Sequence, residues 1–227
     1  MKTCTSAFAA LFISQASCAT PAPAGTPCSD ARTQSRRSSE LQRIREADQA
    51  DRAWQANLEK MPQPSQAVLE RMSRNDLGRR MRVGEIFGEG CLQSADDYEA
   101  AFMVYQHGTT PGHYFQAFLW SKEALSLGNG HVKSEVAMAI DRYLVSTEHE
   151  QLFGTQASQP ALGACWCIQP IEGSFPAVLR EEYRGGPNEA YTGLAYLKIL
   201  NRGTGCPDSF CDTHLRPSPQ GSVPGFW

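Results

Sequence analysis

AFMVYQHGTTPGHYFQAFLWSKEALSLGNG, running from Ala101 to Gly130, is the stretch whose punctuation decides the fold. A periodic apolar run through Tyr98, Ala101, Phe102 and Tyr105 stops at Gln106-His107-Gly108, with Gly108 placed to serve as a left-handed helix cap. Thr109-Thr110-Pro111 opens a second run, Pro111 in its first turn, which passes through Tyr114, Phe115, Phe118, Leu119 and Leu125 to Gly128-Asn129-Gly130. A third begins near His131 and carries Val132, Val136, Ala139, Ile140, Tyr143 and Leu144. Helices joined by loops this short pack as antiparallel neighbours.

Upstream, Ser94 with Asp97 has the form of a capping box for the first of these helices. Before it, Ser65 to Phe87 reads as a helix broken near Gly78, with Val68, Leu69, Met72, Leu77, Met81 and Ile86 inward and its arginines on a solvated face. The first helix starts with Ser38 or Ser39 as N-cap and runs to about Lys60, before Met61-Pro62. Its stripe comprises Leu41, Ile44, Ala47, Trp54, Leu58 and Met61; at about 100° per residue, Asp51 falls near the centre and Asp48 at the edge. A carboxylate aimed into a core must be paired, so Asp51 is either in an ion pair with an arginine or a site acid. Downstream, residues 157–188 are rich in Gly, Pro and Cys, with a short strand within 165–171 and a short helix or strand over 175–183. A last helix spans 189–200. The expected fold is mainly α, an antiparallel helical bundle or helix-pair array of about five to six helices with a small irregular or β, cysteine-rich C-terminal region. The expected divisions are 1–19, 20–39 as a flexible leader, 40–200 as the helical domain and 201–227 as an irregular tail.

Residues 1–19 have the form of a secretory signal peptide: Lys2, an apolar run containing Phe8, Leu11, Phe12 and Ile13, then Ser17-Cys18-Ala19. Cleavage after Ala19 and lipid attachment at Cys18 are the two alternatives, and both imply export to the periplasm or the extracellular space. No later run is long and apolar enough for a transmembrane helix. In an oxidising compartment Cys28, Cys91, Cys165, Cys167, Cys206 and Cys211 read as disulfides, with Cys206 and Cys211 the expected partners of each other. Zinc is the alternative for the last four, but C-x-C and C-x4-C fit structural zinc poorly. With 21 basic and 24 acidic residues and no long run of one sign, the chain has no footprint for nucleic acid.

The chemistry-bearing residues fall in four places. Asp48-Gln49-Ala50-Asp51-Arg52, Gln106-His107, Asp141-Arg142 and Gln151-Leu152-Phe153-Gly154-Thr155-Gln156 resemble, in that order, the D-Q-x-x-R, Q-H, D-R and Q-x-[YF]-G-T-Q motifs of a family of bacterial domains of unknown function. The resemblance covers about residues 41–185 and implies a polar set of Asp48, Gln49, Arg52, Gln106, His107, Asp141, Arg142, Gln151, Gly154, Thr155 and Gln156, without implying a reaction. The chain departs from the pattern at Glu148-His149-Glu150, where a glycine is expected before the glutamine.

Three functional readings follow. In the first, a polar ligand or catalytic site, His107 is general acid or base, Asp48 or Asp51 orients it, Arg52 or Arg142 binds an anionic group, and Gln151, Thr155 and Gln156 donate hydrogen bonds. Asp141 and Arg142 read equally as a solvated surface pair, since both fall off the apolar stripe. In the second, Tyr98 to Leu144 resembles the helix pairs of Sel1-like or tetratricopeptide repeats, which implies a protein partner. In the third, the polar set is a buried network that fixes helix packing. Whether the chain is an enzyme stays open. No cofactor or metal is implied: G-x-S-x-G, H-E-x-x-H, P-loop and G-x-G-x-x-G patterns are missing, and Glu148, His149 and Glu150 diverge on a helix.

Overall fold

The computed structural model describes residues 28–53, 64–161, 164–184 and 193–227. The signal-like segment with Cys18, and Trp54, Leu58 and Met61 of the expected first helix, lie outside the described residues. The fold is mainly α. In chain order the α-helices are α1 (Ala31–Asp51), α2 (Gln66–Gly88), α3 (Ala95–Gln106), α4 (Pro111–Ser126), α5 (Lys133–Ser146), α6 (Ala177–Arg184) and α7 (Gly193–Leu200). Two short strands, β1 (Ala157–Ser158) and β2 (Cys167–Ile168), pair antiparallel with Ala157 opposite Ile168. No helix among the described residues is long and apolar enough to cross a membrane.

The α3, α4 and α5 helices form the centre, each packed on the next, with α1 and α2 against α3 and with α6 against α5. Phe102, Phe118, Ile140 and Leu144 are buried between them with the small residues Ala101, Ala117 and Ala139, which let the helices approach closely. The expected caps of α3 and α4 are present. Ser94 and Asp97 make the reciprocal capping box, and the Thr110 side chain accepts from His113 N–H with Pro111 in the first turn. Gly108, by contrast, is not a left-handed cap: a Cβ there would sit 2.3 Å from His113 Cβ, so glycine is required by close approach.

Several expectations are corrected. The α1 helix starts at Ala31, inside the presumed leader, because Asp30 and not Ser38 or Ser39 caps it by accepting from Thr33 N–H. Its first turns are held by the Cys28–Cys91 disulfide, by Gln34 donating to Cys91 O and by the Arg37–Glu89 ion pair. The α2 helix runs unbroken through Gly78, and its inward face is only partly the expected one: Met72 and Ile86 are buried as expected, but with Asp76, Arg80 and Val83, whereas Leu69, Leu77 and Met81 are exposed. Cys206 and Cys211 are not partners; Cys206 bonds to Cys165 and Cys211 to Cys167. Residues two apart on an extended chain share a face, so Cys165 and Cys167 present both sulfurs to the returning tail, whose Cys211 N–H donates to Ile168 O. That tail is irregular but packed, with Val223 buried and Phe226 and Trp227 against the core.

Glu135 on α5 sets a pH dependence for the whole bundle. Burial, first, and then Glu99 on α3 push its carboxyl up to about 8, and one of its oxygens has no hydrogen-bond partner among the described residues. A carboxyl raised in the folded state contributes stability that is fully present below its unfolded value of 4.5 and is lost as pH rises through about 8. Thermal unfolding is therefore expected to move to lower temperature across that window, and Glu135→Gln to flatten the dependence. An unchanged pH profile in the variant would assign the effect elsewhere.

Candidate functional site

The end of α3 is where the four motif segments meet. Helix termini leave carbonyls unpaired and concentrate negative potential. Here three side chains take those carbonyls in turn: Arg142 Nη1 donates to Gln106 O at 2.6 Å, Arg80 Nη1 to His107 O at 3.0 Å and Tyr114 Oη to Gly108 O at 2.9 Å. Arg142 also donates from Nε to Gln156 Oε1 and lies 5.9 Å above the Tyr114 ring. The helix end is thereby tied to α2, to α5 and to the turn that follows α5.

The His107 side chain leans the other way, toward α1. Its Nδ1 is 2.7 Å from Asp48 Oδ2, and Asp48 is completely buried. Asp48 also accepts from Gln49 Nε2 at 2.9 Å and from Arg52 Nη1 at 2.9 Å. Arg52 continues to Asp76 at 2.6 Å, Asp76 accepts from Arg79 at 2.9 Å, and Arg79 reaches Asp51, which Asn75 also contacts. An ionised carboxylate only accepts, so the hydrogen between His107 and Asp48 belongs to Nδ1, and the neutral ring presents an unprotonated Nε2. Burial holds the His107 pKa below its ordinary value against the opposing pull of Asp48; Arg52 and Arg142 push in the same direction as burial.

Asp48, not Asp51, is thus the acid buried on α1. Leu41 and Asp48, two turns apart, are the buried residues of that helix, whereas the expected stripe was centred with Trp54 and Leu58, beyond its last residue at Asp51. Asp51 is in the ion pair that was one of its two readings, with Arg79, and has no hydrogen bond or ion pair with His107 among the described residues.

Behind Arg142, the turn over residues 148–156 is built as a unit. Asp141 is fully buried, which corrects the surface-pair reading. Its carboxylate accepts from Leu152 N, Phe153 N, Thr155 N and Thr155 Oγ1, at 2.8 to 3.0 Å for the closest contacts. Burial pushes this carboxyl up to about 6, while the four donors, all aimed at its oxygens, pull it down. Gln151, also fully buried, accepts from Gln156 N and donates to Gln156 O and Gln169 O. Gly154 has φ 84°, and a Cβ there would lie 2.9 Å from Ile171 Cδ1. Phe153 is anchored among Phe175, Tyr183 and Phe226. Glu148, where the family pattern suggested a glycine nearby, takes a left-handed φ of 63°. Asp141, Gln151, Gly154 and Thr155 therefore shape the turn, and Gln156 is the member that presents an oxygen to Arg142.

Contacts join Asp48, Gln49, Arg52, Gln106, His107, Arg142 and Gln156, with Asp51 on the far side of the ion network. Sequence reasoning missed Asp76, Arg79, Arg80 and Tyr114. For α2 a signal existed: Met72, Asp76, Arg80 and Val83 recur at helical spacing, marking polar residues on a core-facing stripe. An open depression of about 560 Å³, lined by Asp96, Glu99, Asn129 and His131 among others, lies at the opposite end of α3. Glu99 there is already taken by Arg45 and Asn129.

The fold and site define a disulfide-bonded, mainly α protein with a His–Asp pair at a guanidinium-capped helix end. No family model, no curated protein and no solved structure matches the chain.

Proposed function

We propose that the chain is an exported protein, periplasmic or extracellular, whose site at the end of α3 binds a polar small molecule and uses His107 as general base. The observation that carries this reading is the 2.7 Å contact between His107 Nδ1 and a fully buried Asp48, itself held by Arg52 and Gln49. That arrangement fixes tautomer and ring orientation together, which is what a base within reach of a substrate proton needs. Asp48 is the positioning residue, and the charge of Arg142 bears on the ring. The likeness to the bacterial domain family rests on the same residues and supports the same location. Export is supported by the signal-like start of the sequence and by three disulfides.

A test is to incubate a polar metabolite extract with the full chain and with its His107→Ala variant, following each compound by mass spectrometry. The expected result is at least one compound consumed by the parent and turned over about 10²- to 10⁴-fold more slowly by the variant, with cooperative unfolding retained. Equal turnover by both proteins, or no consumption by either, would reject the base.

The second reading, a purely structural network, is favoured by one observation: Asp48, Asp51 and Asp76 are all paired to Arg52 and Arg79 across α1 and α2. Under that reading His107→Ala lowers stability and alters no chemistry.

A further inference from the structure

Among the described residues, two cations at the end of α3 have no anion. Arg80 is 6% exposed and Arg142 is partly buried, yet neither forms an ion pair with any carboxylate among the described residues. Their hydrogen bonds go to neutral acceptors: Arg80 to His107 O, and Arg142 to Gln106 O and Gln156 Oε1. Arg80 Nε is buried with no acceptor. Arg52 and Arg79 differ from them, because those two share Asp48, Asp51 and Asp76. A partial negative charge at a helix end offsets only part of a buried guanidinium.

A second, independent observation comes from the same helix end. Gln106, the residue whose carbonyl Arg142 holds, is 4% exposed, and both its side-chain nitrogen and its side-chain oxygen lack partners among the described residues. Buried amides of folded proteins are paired as a rule, so an entire unpartnered one at a helix end whose consecutive carbonyls are held by two unpaired guanidiniums is a polar constellation without its complement. Among the described residues Arg142 Nη2 has no acceptor, and the unprotonated His107 Nε2 has no donor.

We propose that Arg80, Arg142 and the Gln106 amide form a receptor for an oxyanion, the carboxylate or phosphate group of a small ligand, set beside His107. This rests on the site assigned above and adds the chemical class of its ligand. Two guanidiniums supply planar, paired N–H donors, the amide supplies a further donor, and an oxyanion supplies the charge that the described residues do not. In the bound state the anionic group is fixed next to His107 Nε2, leaving the rest of the ligand to meet the ring.

The experiment is calorimetric titration of the full chain, disulfides formed, at low ionic strength with inorganic phosphate and separately with succinate, against sodium chloride at matched ionic strength. Saturable binding of one or both oxyanions and none of chloride is expected. Phosphate alone identifies a phosphoryl group, succinate alone a carboxylate. Arg142→Gln is expected to weaken binding by about tenfold or more, with Arg142→Lys intermediate because it keeps the charge and loses the fork. Should Arg142→Gln not fold, the parent and the lysine variant decide. No saturable binding by the parent, a response that chloride reproduces, or unchanged affinity in the folded variants would overturn the proposal. The ring tautomer of His107, read on the same samples by nitrogen NMR, separates the two readings: anion binding with a protonated Nε2 would keep the receptor and remove the base.

Discussion

Asp141→Ala is expected to lower the unfolding free energy by about 3–5 kcal/mol, the effect of removing one partner from a buried, charged hydrogen-bond cluster. The carboxylate is fully buried and serves three backbone N–H groups and the Thr155 hydroxyl. No other acceptor is offered to them in the cluster, and water has no ready access to Leu152 or Phe153, both completely buried. Loss of the turn also releases Gln156 from Arg142 and Phe153 from its aromatic cluster. Denaturant unfolding followed by tryptophan fluorescence measures it. A loss below about 1 kcal/mol would mean that the turn is held by its aromatic and disulfide neighbours alone.

Asp48→Ala carries a large effect too, about 2–3 kcal/mol, because it removes one of the two carboxylates that hold Arg52, the other being Asp76, together with the partner of His107, at a carboxylate that is completely buried. The informative comparison is Asp51→Ala. Asp51 pairs with Arg79 at the partly exposed edge of the same network, where an ion pair contributes only about 0–1 kcal/mol. A several-fold larger loss at Asp48 than at Asp51 is expected from equilibrium unfolding of both variants. Equal losses would contradict the assignment of Asp48 as the buried member.

That pair of aspartates also illustrates how much was legible in the sequence. The stripe on the first helix signals an inward acid but centres it on Asp51, because its phase depends on residues beyond Asp51, where α1 ends; a rotation of about 60° exchanges Asp51 for Asp48. Asp141 was misread for a different reason. It lies off the apolar stripe of α5, and only the returning turn, which no helical period encodes, encloses it. The α3 and α4 boundaries were legible because capping is local chemistry: Ser94, Asp97, Thr110 and Pro111 each act within a few residues. Cysteine pairing was not, because Cys165 with Cys206 and Cys167 with Cys211 depend on how the tail crosses β2. The candidate site was legible as a list of residues and not as a division of labour. Turn-building members such as Gln151 and Thr155 have the same polar character in sequence as Gln106 and Arg142, and only burial and partners separate them.

The account turns on the state of one ring, and nitrogen NMR of the His107 imidazole across pH measures it directly. The account predicts a neutral ring with the proton on Nδ1, facing Asp48, and an unprotonated Nε2, titrating below the ordinary histidine value of 6.5. A proton resident on Nε2 in the neutral form, or a ring still charged above that value, would contradict it.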